Sequence, residues 1–543
     1  MQPSKTYLFF ICVIAIAVLA SCNDGNLVQN TPPQVDSQGM NLSGNKQKKV
    51  TPLHEPNIIK DEYLVKFANQ FEGRINENVA LQVGQLRNDI FSSFDIQKDS
   101  VLNEYSYAFK GFAAKLSKEK VEALKKDPRI ARVTPNALFK LNSFSSIRST
   151  EATHGTFTSQ VTPWGVTRVG GPLNGSGKKA WILDSGIDLD NSDLNIDISN
   201  SASFIASESA DDALGHGTHV AGILAAKDNS IGVVGVAAGA TVVAVKVCNN
   251  LPPTDPDYGC PVNSITNGID YVASHASSND IVNMSLGGYD PYGVYSAYID
   301  DPIINAANSG IRFTISAGND GLDATNYTPA RVNNSNVWTV SAYDDNDAFV
   351  TAFTCNPNYG SNYGNPPIDF GGPGDYITSL APGGGTAIMC GTSMAAPHIA
   401  GLLLASSGGI SIGGYVSGDR DNNPDPIAIA DLPLTVNIGG PGVVNSGQAY
   451  VYNASAHNAE GSVSYTWYYR VSPTGSWYDT GETGSSIFYT FYNPNSYTLN
   501  AALKVVATSA GETAYHIHNV AVSEDCNTIH GLAGTNAIVL PCN

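Results

Sequence analysis

The spacing of apolar residues changes several times along the chain, and the first regular part lies between residues 57 and 142. Alternating apolar and polar positions in DEYLVKF and YSYAFKGFAAKL predict strands, and helical spacing appears in NENVALQVGQLRNDI and SKEKVEALKKD. Ser117 precedes the second predicted helix as its cap. With RIARVTP as the last strand, the order strand, helix, strand, strand, helix, strand predicts a small α+β domain.

Residues 160–430 show a different pattern, in which short, continuously apolar runs alternate with helical stretches. The runs are AWILDSG, TVVAVKV, IVNMSL, RFTISAG and VWTVSAY. Apolar runs of this length, separated by helices, predict a buried parallel sheet and the α/β class. Each run ends near Asp, Ser, Gly or Asn, and in such sheets ligands and catalytic groups gather at the carboxyl ends of the strands.

A third pattern covers residues 431–523, where Tyr-, Val- and Thr-rich runs are divided by Gly, Asn and Pro. This pattern predicts an all-β sandwich of about immunoglobulin size. Between and beside these domains we expect a flexible spacer at residues 23–56, an exposed linker at 143–159 and a stapled tail at 524–543.

The first 21 residues are interpreted as a signal peptide, since one lysine precedes an apolar run that is too short to span a bilayer comfortably. The stretch LASC resembles a bacterial lipobox, whose cysteine, here Cys22, is lipidated after cleavage. Val18 and Ala20 also suit ordinary signal peptidase. We therefore expect an exported protein, either an outer-membrane or cell-surface lipoprotein precursor or a secreted one.

Six cysteines follow Cys22, and an even number in an exported chain favours disulfides, with about fifteen connectivities allowed. None of them forms a Cys-x-x-Cys pair, so a structural zinc site is not expected. We hypothesise that nearest neighbours pair. Cys248–Cys260 would then close a surface loop, and Cys355–Cys390 would anchor the segment that leads into Ser393. Cys526–Cys542 would staple the tail.

Charge is distributed unevenly over the 543 residues. Residues 1–142 contain 18 basic and 14 acidic side chains, a net charge of +4, whereas residues 143–543 contain 11 and 34, a net charge of −23. An acidic body argues against nucleic acid or an anionic membrane surface as a partner. The opposite signs suggest that the front part and the remainder attract each other.

Three motifs in the α/β part place reactive side chains at the ends of predicted elements. AWILDSGIDLDNSDL has Asp184 at a strand end, GHGTHVAGILAA has His216 at a helix start, and CGTSMAAPH has Ser393 among small residues before an apolar helix. In this order the motifs resemble the subtilisin-like serine protease family over residues 160 to about 408. The resemblance implies the subtilisin-like parallel-sheet fold for this part of the chain.

The resemblance also implies a role for each of these residues. Ser393 would attack the scissile carbonyl, His216 would take its proton, and Asp184 would orient the imidazole. Asn319 in ISAGND stands at the family's oxyanion position, where its amide would act together with the N–H of Ser393. Taken singly, each residue has an ordinary alternative, since Asp184 and Asn319 suit turns and the other two suit helix caps.

Protein or peptide substrates of this family bind as an added strand between two enzyme edges. By resemblance, NMSLGG would form one edge and one wall of the pocket, through Ser285, Leu286 and Gly287. ISAG would form the other wall, through Ala317 and Gly318. The second edge is expected near PDYGC. There the inserted stretch CNNLPPTDPDYGCPV departs from the shorter family loop, so the outer pockets do not carry over. Asp320 would favour a basic side chain in the main pocket.

Two further stretches, SQVTPWGVTRV and AKDNSIGVVGVA, resemble the family's mature N-terminal segment and its calcium loop. An all-oxygen ligand set of this kind suits Ca²⁺. The alternative is an ordinary Asn-Ser-Ile-Gly turn. Carried over by motif, the ligands would be the side chains of Gln160, Asp193 and Asn229 and the backbone carbonyls of Lys227, Ile231 and Val233.

The front domain contains FKGFAAKLSKEKVEALKKDPRIARV, which resembles the inhibitory propeptides of the same family. Residues 57–142 would then act as intramolecular inhibitor and folding chaperone until the chain is cut within residues 143–159. Such a helper is physically reasonable, because non-local pairing in a large parallel sheet makes folding slow. The alternative is a permanent, non-inhibitory domain.

The sequence is thus interpreted as a secreted, calcium-stabilised serine endopeptidase made as a zymogen, and we expect a monomer. Two other functions stay open. The chain could be a surface binding protein in which the β-sandwich binds the ligand and the protease body is only a scaffold. Alternatively, the same triad could catalyse an esterase or a transpeptidase reaction. The presence of all three triad residues favours the peptidase.

Overall fold

The computed structural model describes residues 57–523 except for short gaps at 69–70, 72–74, 140, 142–158, 407–408, 432–434, 458–461, 473–474, 494–497 and 510–511. The predicted signal peptide, Cys22, the spacer, nearly all of the linker, and the tail with Cys526 and Cys542 lie outside the described residues. No helix among the described residues is long and apolar enough to cross a membrane.

The front domain contains the predicted order of elements. Asn76 caps the first helix by accepting from the N–H of Val79 at 3.0 Å, and Ser117 caps the second by accepting from the N–H of Lys120 at 3.3 Å. The elements are β1 Asn57–Phe67, α1 Glu77–Ser93, β2 Val101–Tyr105, β3 Gly111–Lys115, α2 Lys118–Leu124 and β4 Ile130–Phe139. They form an antiparallel sheet in the order β4-β1-β3-β2.

The α/β part is built on a large, mainly parallel sheet. The strands of the α/β part, inside and outside this sheet, are β5 Leu173–Asn174, β6 Lys179–Asp184, β7 Asn195–Ile196, β8 Ala202–Ser203, β9 Ala237–Ala238, β10 Thr241–Lys246, β11 Cys260–Pro261, β12 Ile281–Met284, β13 Gly288–Tyr289, β14 Arg312–Ser316, β15 Tyr327–Thr328, β16 Val337–Tyr343, β17 Ile368–Pro373, β18 Ile377–Ala381, β19 Gly385–Met389, β20 Ile410–Tyr415 and β21 Pro426–Ala430. Its helices are α3 Trp164–Arg168, α4 His216–Ala225, α5 Val262–His275, α6 Asp300–Asn308 and α7 Thr392–Ala405.

The central sheet has the order β20-β21-β17-β16-β14-β12-β6-β10-β7, and β20 is antiparallel to its neighbour β21. All five predicted apolar strands lie next to one another in it as parallel strands. Alternate residues of β6 pack on opposite faces: Ile182 contacts a core with α4 and α7, whereas Trp181 and Leu183 contact a core with α5 and α6. Burial on both faces explains why these strands are apolar throughout.

The front domain packs on the face of the α/β part that α5 and α6 cover. Leu64, Tyr105 and Phe109 belong to the same buried cluster as Ile269 of α5 and Ile303 of α6. In addition, β11 pairs antiparallel with the end of β4 and so extends the front sheet by one strand. The front domain is therefore joined to the α/β part by both apolar packing and strand pairing.

Two disulfides brace the α/β part in agreement with the nearest-neighbour hypothesis. Cys248 bonds Cys260 across 12 residues, and Cys355 bonds Cys390 across 35. The first bridge joins the start of the inserted stretch to β11, which lies near its end. The second reaches the segment just before α7, which begins at Thr392.

Residues 435–523 contain only strands among the described elements: β22 Thr435–Gly439, β23 Val443–Asn445, β24 Ala449–His457, β25 Ser464–Arg470, β26 Tyr478–Thr483, β27 Ser486–Thr490, β28 Leu499–Ser509 and β29 Glu512–Ser523. They form two sheets, β22-β24-β27 and β23-β29-β28-β25-β26. Tyr452 and Ile487 of the first sheet share one buried cluster with Trp467 and Leu503 of the second. This cluster gives the all-β part its own core.

Candidate active site

Asp184 and His216 form a buried hydrogen-bonded pair at the carboxyl end of the central sheet. Asp184 is the last residue of β6 and His216 the first of α4, and they are 0% and 2% exposed. Nδ1 of His216 lies 2.7 Å from Oδ1 of Asp184. Burial opposes protonation of the imidazole, but the charge and hydrogen bond of Asp184 outweigh it, so the pKa of His216 is raised.

Ser393 is the second residue of α7 and is 6% exposed. Its Oγ donates to the carbonyl of Ser285 at 3.3 Å, and Nε2 of His216 is buried without a hydrogen-bond partner among the described residues. The structure thus contains the Asp–His bond of the predicted constellation and not the His–Ser bond. Catalytic hydrogen bonds commonly form only when substrate is bound.

Asn319 is held by Thr392, a residue that the sequence analysis did not single out. Oδ1 of Asn319 accepts from the backbone N–H of Thr392 at 2.8 Å and from its hydroxyl at 2.9 Å. A Cβ on Gly391 would lie 3.4 Å from Nδ2 of Asn319, so a glycine keeps the space beside this amide open. Both bonds use Oδ1, so together they fix the orientation of the Asn319 amide.

Asp212 fixes the start of α4 and was also missed. Its carboxylate accepts from the Ser185 hydroxyl at 2.9 Å, the Gly215 N–H at 2.8 Å, and the Thr218 N–H and hydroxyl at 2.9 and 2.7 Å. An acidic residue just ahead of a helix satisfies its free N–H groups. An aspartate four residues before a predicted helix start was therefore the available signal.

His219, in the same motif, lies outside this constellation. Its Nε2 lies 3.1 Å from the carbonyl oxygens of both Ile377 and Ala387. Burial lowers its pKa to about 3, so the ring is neutral. We assign it a structural position between α4 and the β18–β19 hairpin.

The front domain pairs with one of the two stretches that were predicted to form substrate edges. Cys260 and Pro261 of β11, at the end of the stretch PDYGC, pair with Phe139 and Leu138 at the end of β4. The Phe139 ring contacts Tyr295 edge-on at 5.4 Å between centroids. A Cβ at Gly288 would lie 2.5 Å from this ring. The Phe139 ring of the last front-domain strand thus occupies the space beside Gly288, which directly follows Ser285-Leu286-Gly287.

The other predicted pocket residues, Ala317 and Gly318, directly follow β14 and precede Asn319. The N–H of Gly318 donates to the Thr392 hydroxyl at 3.1 Å, which joins this wall to the start of α7. The Asp320 carboxylate accepts from the Tyr327 hydroxyl at 2.8 Å. A tyrosine therefore already contacts the carboxylate that was expected to select a basic side chain.

Most of the predicted calcium ligands converge. Nε2 of Gln160 lies 2.7 Å from the carbonyl of Lys227 and 3.4 Å from that of Val233. Nδ2 of Asn229 lies 2.7 Å from Oδ1 of Asp193, which is 3% exposed. Ile231 was predicted to bind through its carbonyl, but the contact that the structure shows is made by its N–H, which donates to Oδ1 of Asn229 at 2.7 Å.

Comparison with known proteins matches both parts of this arrangement. A family model described as "Subtilase family" matches residues 175–406, and one described as "Peptidase inhibitor I9" matches residues 62–142. Subtilisin-like protease 5 of Arthroderma gypseum is 32% identical over 329 residues, which cover 57% of this chain and 71% of that protein. M-protease of Shouchella clausii is 34% identical over 354 residues, which cover 63% and 80%.

The chain belongs to the subtilase family. As a subtilase it is a serine endopeptidase, and its front domain is an inhibitor domain of the I9 type. Among solved structures, Sphericase aligns with a TM-score of 0.35 and 24% identity, over 45% of this chain and 83% of that one. The two-sheet part at residues 435–523 lies outside both family matches in this subtilase.

Proposed function

We propose that this subtilase is the exported zymogen of an endopeptidase whose catalytic residues are Asp184, His216 and Ser393. The observation that carries the assignment is the buried 2.7 Å bond between Asp184 and His216, inside the subtilase match and on a helix that packs against the helix bearing Ser393. In the reaction Ser393 Oγ attacks the scissile carbonyl and His216 accepts its proton. His216 later protonates the leaving amine, and Asp184 stabilises the imidazolium.

The oxyanion of the tetrahedral intermediate needs donors that are already oriented. We assign these to the side-chain amide of Asn319 and the backbone N–H of Ser393. The bonds from Thr392 to Oδ1 of Asn319 support this role, because they fix the orientation of the amide at the start of the helix that bears Ser393. The pocket walls are Ser285, Leu286 and Gly287 on one side and Ala317 and Gly318 on the other.

The I9 domain acts as an inhibitor by the same strand addition that binds substrate. Support comes from β4, whose end pairs with the β11 edge and whose Phe139 fills the pocket beside Gly288. Substrate cannot pair with that edge while β4 is present. The domain limits that we propose are 57–142 for the inhibitor, 143–159 for the processing linker and 160–430 for the catalytic domain.

A calcium site is proposed at Gln160, Asp193 and Asn229 with the carbonyls of Lys227, Ile231 and Val233. Its support is the donor set: a buried carboxylate, two amides and backbone carbonyls, which together suit Ca²⁺. If the side-chain amides of Gln160 and Asn229 rotated by half a turn, their oxygens would point at the Lys227 carbonyl oxygen and the Asp193 carboxylate. These oxygens repel one another, and a cation between them would stabilise that arrangement. Burial raises the pKa of Asp193, as expected for a carboxylate without a strong cationic partner.

We further propose that residues 431–523 are an immunoglobulin-like sandwich and that the mature protease is a monomer. The support for a sandwich is the core shared by two sheets. If Cys22 carries a lipid, cleavage within residues 143–159 separates the mature protease from the membrane. Membrane-bound catalytic domain after complete loss of the propeptide would contradict this.

The proposed function is tested by expressing the full chain beside its Ser393→Ala variant and sequencing the N-termini of the products. Cleavage within 143–159 in the parent and not in the variant is expected, because the chain cuts its own linker. Ser176→Ala, at an exposed serine in a turn, serves as a matched control and should be processed normally. An uncut parent that also leaves added unfolded protein intact would overturn the assignment.

A further inference from the structure

The loop of residues 416–425, between β20 and β21, carries oxygen-bearing side chains at alternating positions. These are Asp419, Asp421, Asn423 and Asp425. The loop belongs to the catalytic part but shares no residue with the active site or with the calcium site proposed above. Its charge therefore needs an explanation of its own.

Two of its carboxylates are buried against each other. Asp425 is 1% exposed and Asp419 is 9% exposed. Their side chains lie within hydrogen-bonding reach, and the N–H of Asp425 also donates to Oδ2 of Asp419 at 3.3 Å. The second oxygen of Asp425 accepts from the Ser341 hydroxyl. Oδ1 of each aspartate is buried and has no hydrogen-bond partner among the described residues.

No basic side chain in the described part of the chain forms an ion pair with either carboxylate. Arg420, which lies between them in sequence, instead donates to the carbonyl of Gly321 at 2.9 Å and covers the Tyr363 ring at 5.4 Å. Two buried carboxylates without a counter-charge are strongly unfavourable, and a bound cation removes the conflict.

We propose that Asp419 and Asp425 hold a calcium ion in this loop. Their unpartnered Oδ1 atoms supply two hard oxygen ligands, and Asp421 adds negative charge from the same loop. Among the described residues no three His, Cys, Asp or Glu side chains converge on one point, so the shell is completed by the Ser341 hydroxyl, loop carbonyls and water. Such a mixed oxygen shell suits Ca²⁺ and not the softer transition metals.

The site has a direct connection to the active site. Arg420 adjoins Asp419, and its bond to Gly321 reaches the loop that contains Asn319, two residues earlier. A cation that orders residues 419–425 therefore also orders the arginine that braces this loop. Loss of the ion is expected to loosen the position of Asn319.

The test uses the full-length Ser393→Ala chain, in which self-cleavage is prevented, after removal of metal with EDTA. Ca²⁺ binding is counted by isothermal titration calorimetry in this parent and in chains that also carry Asp425→Asn, Asp193→Asn or both. We expect Asp425→Asn to lose one equivalent, Asp193→Asn to lose a different one, and the double variant to lose two. Asp345→Asn, at an exposed aspartate, is the matched control and should keep all of them.

Thermal unfolding at mildly alkaline pH separates a ligand from a merely structural aspartate. In EDTA, Asp425→Asn should unfold at the same or a higher temperature than the parent, because it removes a buried repulsion. In excess CaCl₂, Asp425→Asn should unfold at a lower temperature than the parent, because the parent alone gains the stability of the bound ion. Unchanged calcium stoichiometry, or destabilisation of the same size in both conditions, overturns the proposal and leaves a carboxyl pair that shares a proton.

A second variant, Asp419→Asn, is used in case Asp425→Asn does not fold. The same pattern is expected, and folding is checked by circular dichroism. The Asp193→Asn chain provides a readout in which both loop aspartates are intact. Absence of all calcium binding in that folded chain also overturns the proposal.

Discussion

At the scale of single residues, the site consists of polar groups whose orientation is fixed by other polar groups. Asp184 orients His216, Asp212 holds the start of the helix that begins with His216, and Thr392 holds Asn319. Each supporting group is itself buried. Rigid support of this kind is what makes hydrogen-bond donors effective in a transition state.

Replacing Asp184 with asparagine should affect both the rate and the pH profile. Because the carboxylate outweighs burial and raises the pKa of His216, its loss should lower that pKa. His216 must be neutral to accept a proton, so the limb on which activity rises with pH should move to lower pH. We expect kcat to fall by about 10⁴, since the asparagine favours the wrong tautomer. Peptide hydrolysis measured across the pH range is the test, and an unmoved limb would contradict it.

Asn319→Ala should lower kcat by about 10²–10³ and leave KM nearly unchanged, because the amide acts on the oxyanion and not on bound substrate. Thr392→Val keeps the backbone bond to Asn319 and removes the 2.9 Å hydroxyl bond, so a smaller loss is expected. Steady-state kinetics on a peptide substrate measure both. Thr392→Ser keeps the hydroxyl and should be close to wild type; a loss as large as that of valine would show that the methyl group matters instead.

At the scale of elements, α5 is the surface on which the inhibitor domain rests. Asp270 of this helix accepts from the backbone N–H groups of Ser106, Tyr107 and Phe109 at 2.8, 2.8 and 2.9 Å. These three residues connect β2 to β3. Burial raises the pKa of Asp270 to about 6, although the three N–H bonds oppose this. One side chain thus orients a whole turn of the neighbouring domain.

Asp270→Ala should weaken inhibition by the propeptide, because three backbone N–H groups lose their acceptor on docking. Truncating one partner of a buried, charged hydrogen-bonded group costs about 2–5 kcal/mol, which is a rise of roughly 30-fold or more in the inhibition constant. The constant is measured with residues 57–142 added to mature enzyme. Glu119→Ala in the inhibitor domain is the control, since this glutamate is exposed. Equal constants for Asp270→Ala and its parent would contradict the role.

At the scale of the whole molecule, the two oppositely charged parts are not joined by many ion pairs. Among the described residues, the only ion pair that joins them is Lys66–Asp301 at 2.7 Å. Beside it lie uncharged bonds, such as Asn136 to Asn263 at 2.7 Å and the Tyr298 hydroxyl to Thr134 at 2.9 Å. The charge asymmetry in the sequence therefore acts on encounter at long range more than on the bound state.

Inhibition by the propeptide should consequently change little with ionic strength. Raising salt from about 0.1 M to 1 M shortens the Debye length from about 10 to 3 Å and screens exposed charges, but not buried neutral bonds or apolar packing. We expect the inhibition constant to rise by less than about tenfold, equivalent to roughly 1.4 kcal/mol. The association rate should fall more than the dissociation rate rises. A change of several hundredfold in the constant would show that net charge holds the domains together.

The amino-acid sequence by itself determined the order of elements in the front domain and the family of this subtilase. Continuous apolar runs predicted the five strands of a buried parallel sheet, because burial on both faces leaves no polar position to interrupt them. Motifs around Asp184, His216 and Ser393 identified the family because each motif is local in the chain. The limits of the domains, the catalytic roles and the calcium ligands remain predictions.

Only the tertiary structure decided which atoms of distant residues meet. Thr392 bonds Asn319 across 73 residues, and Ser341 bonds Asp425 across 84. Likewise IAIA became β21, a neighbour of β17 in the central sheet, although its sequence pattern had not been assigned to a strand. Periodicity reports which face of an element is buried, but hydrogen-bond partners depend on how the elements pack. The buried Oδ1 atoms of Asp419 and Asp425 became visible for the same reason, since burial without a counter-charge is a property of packing.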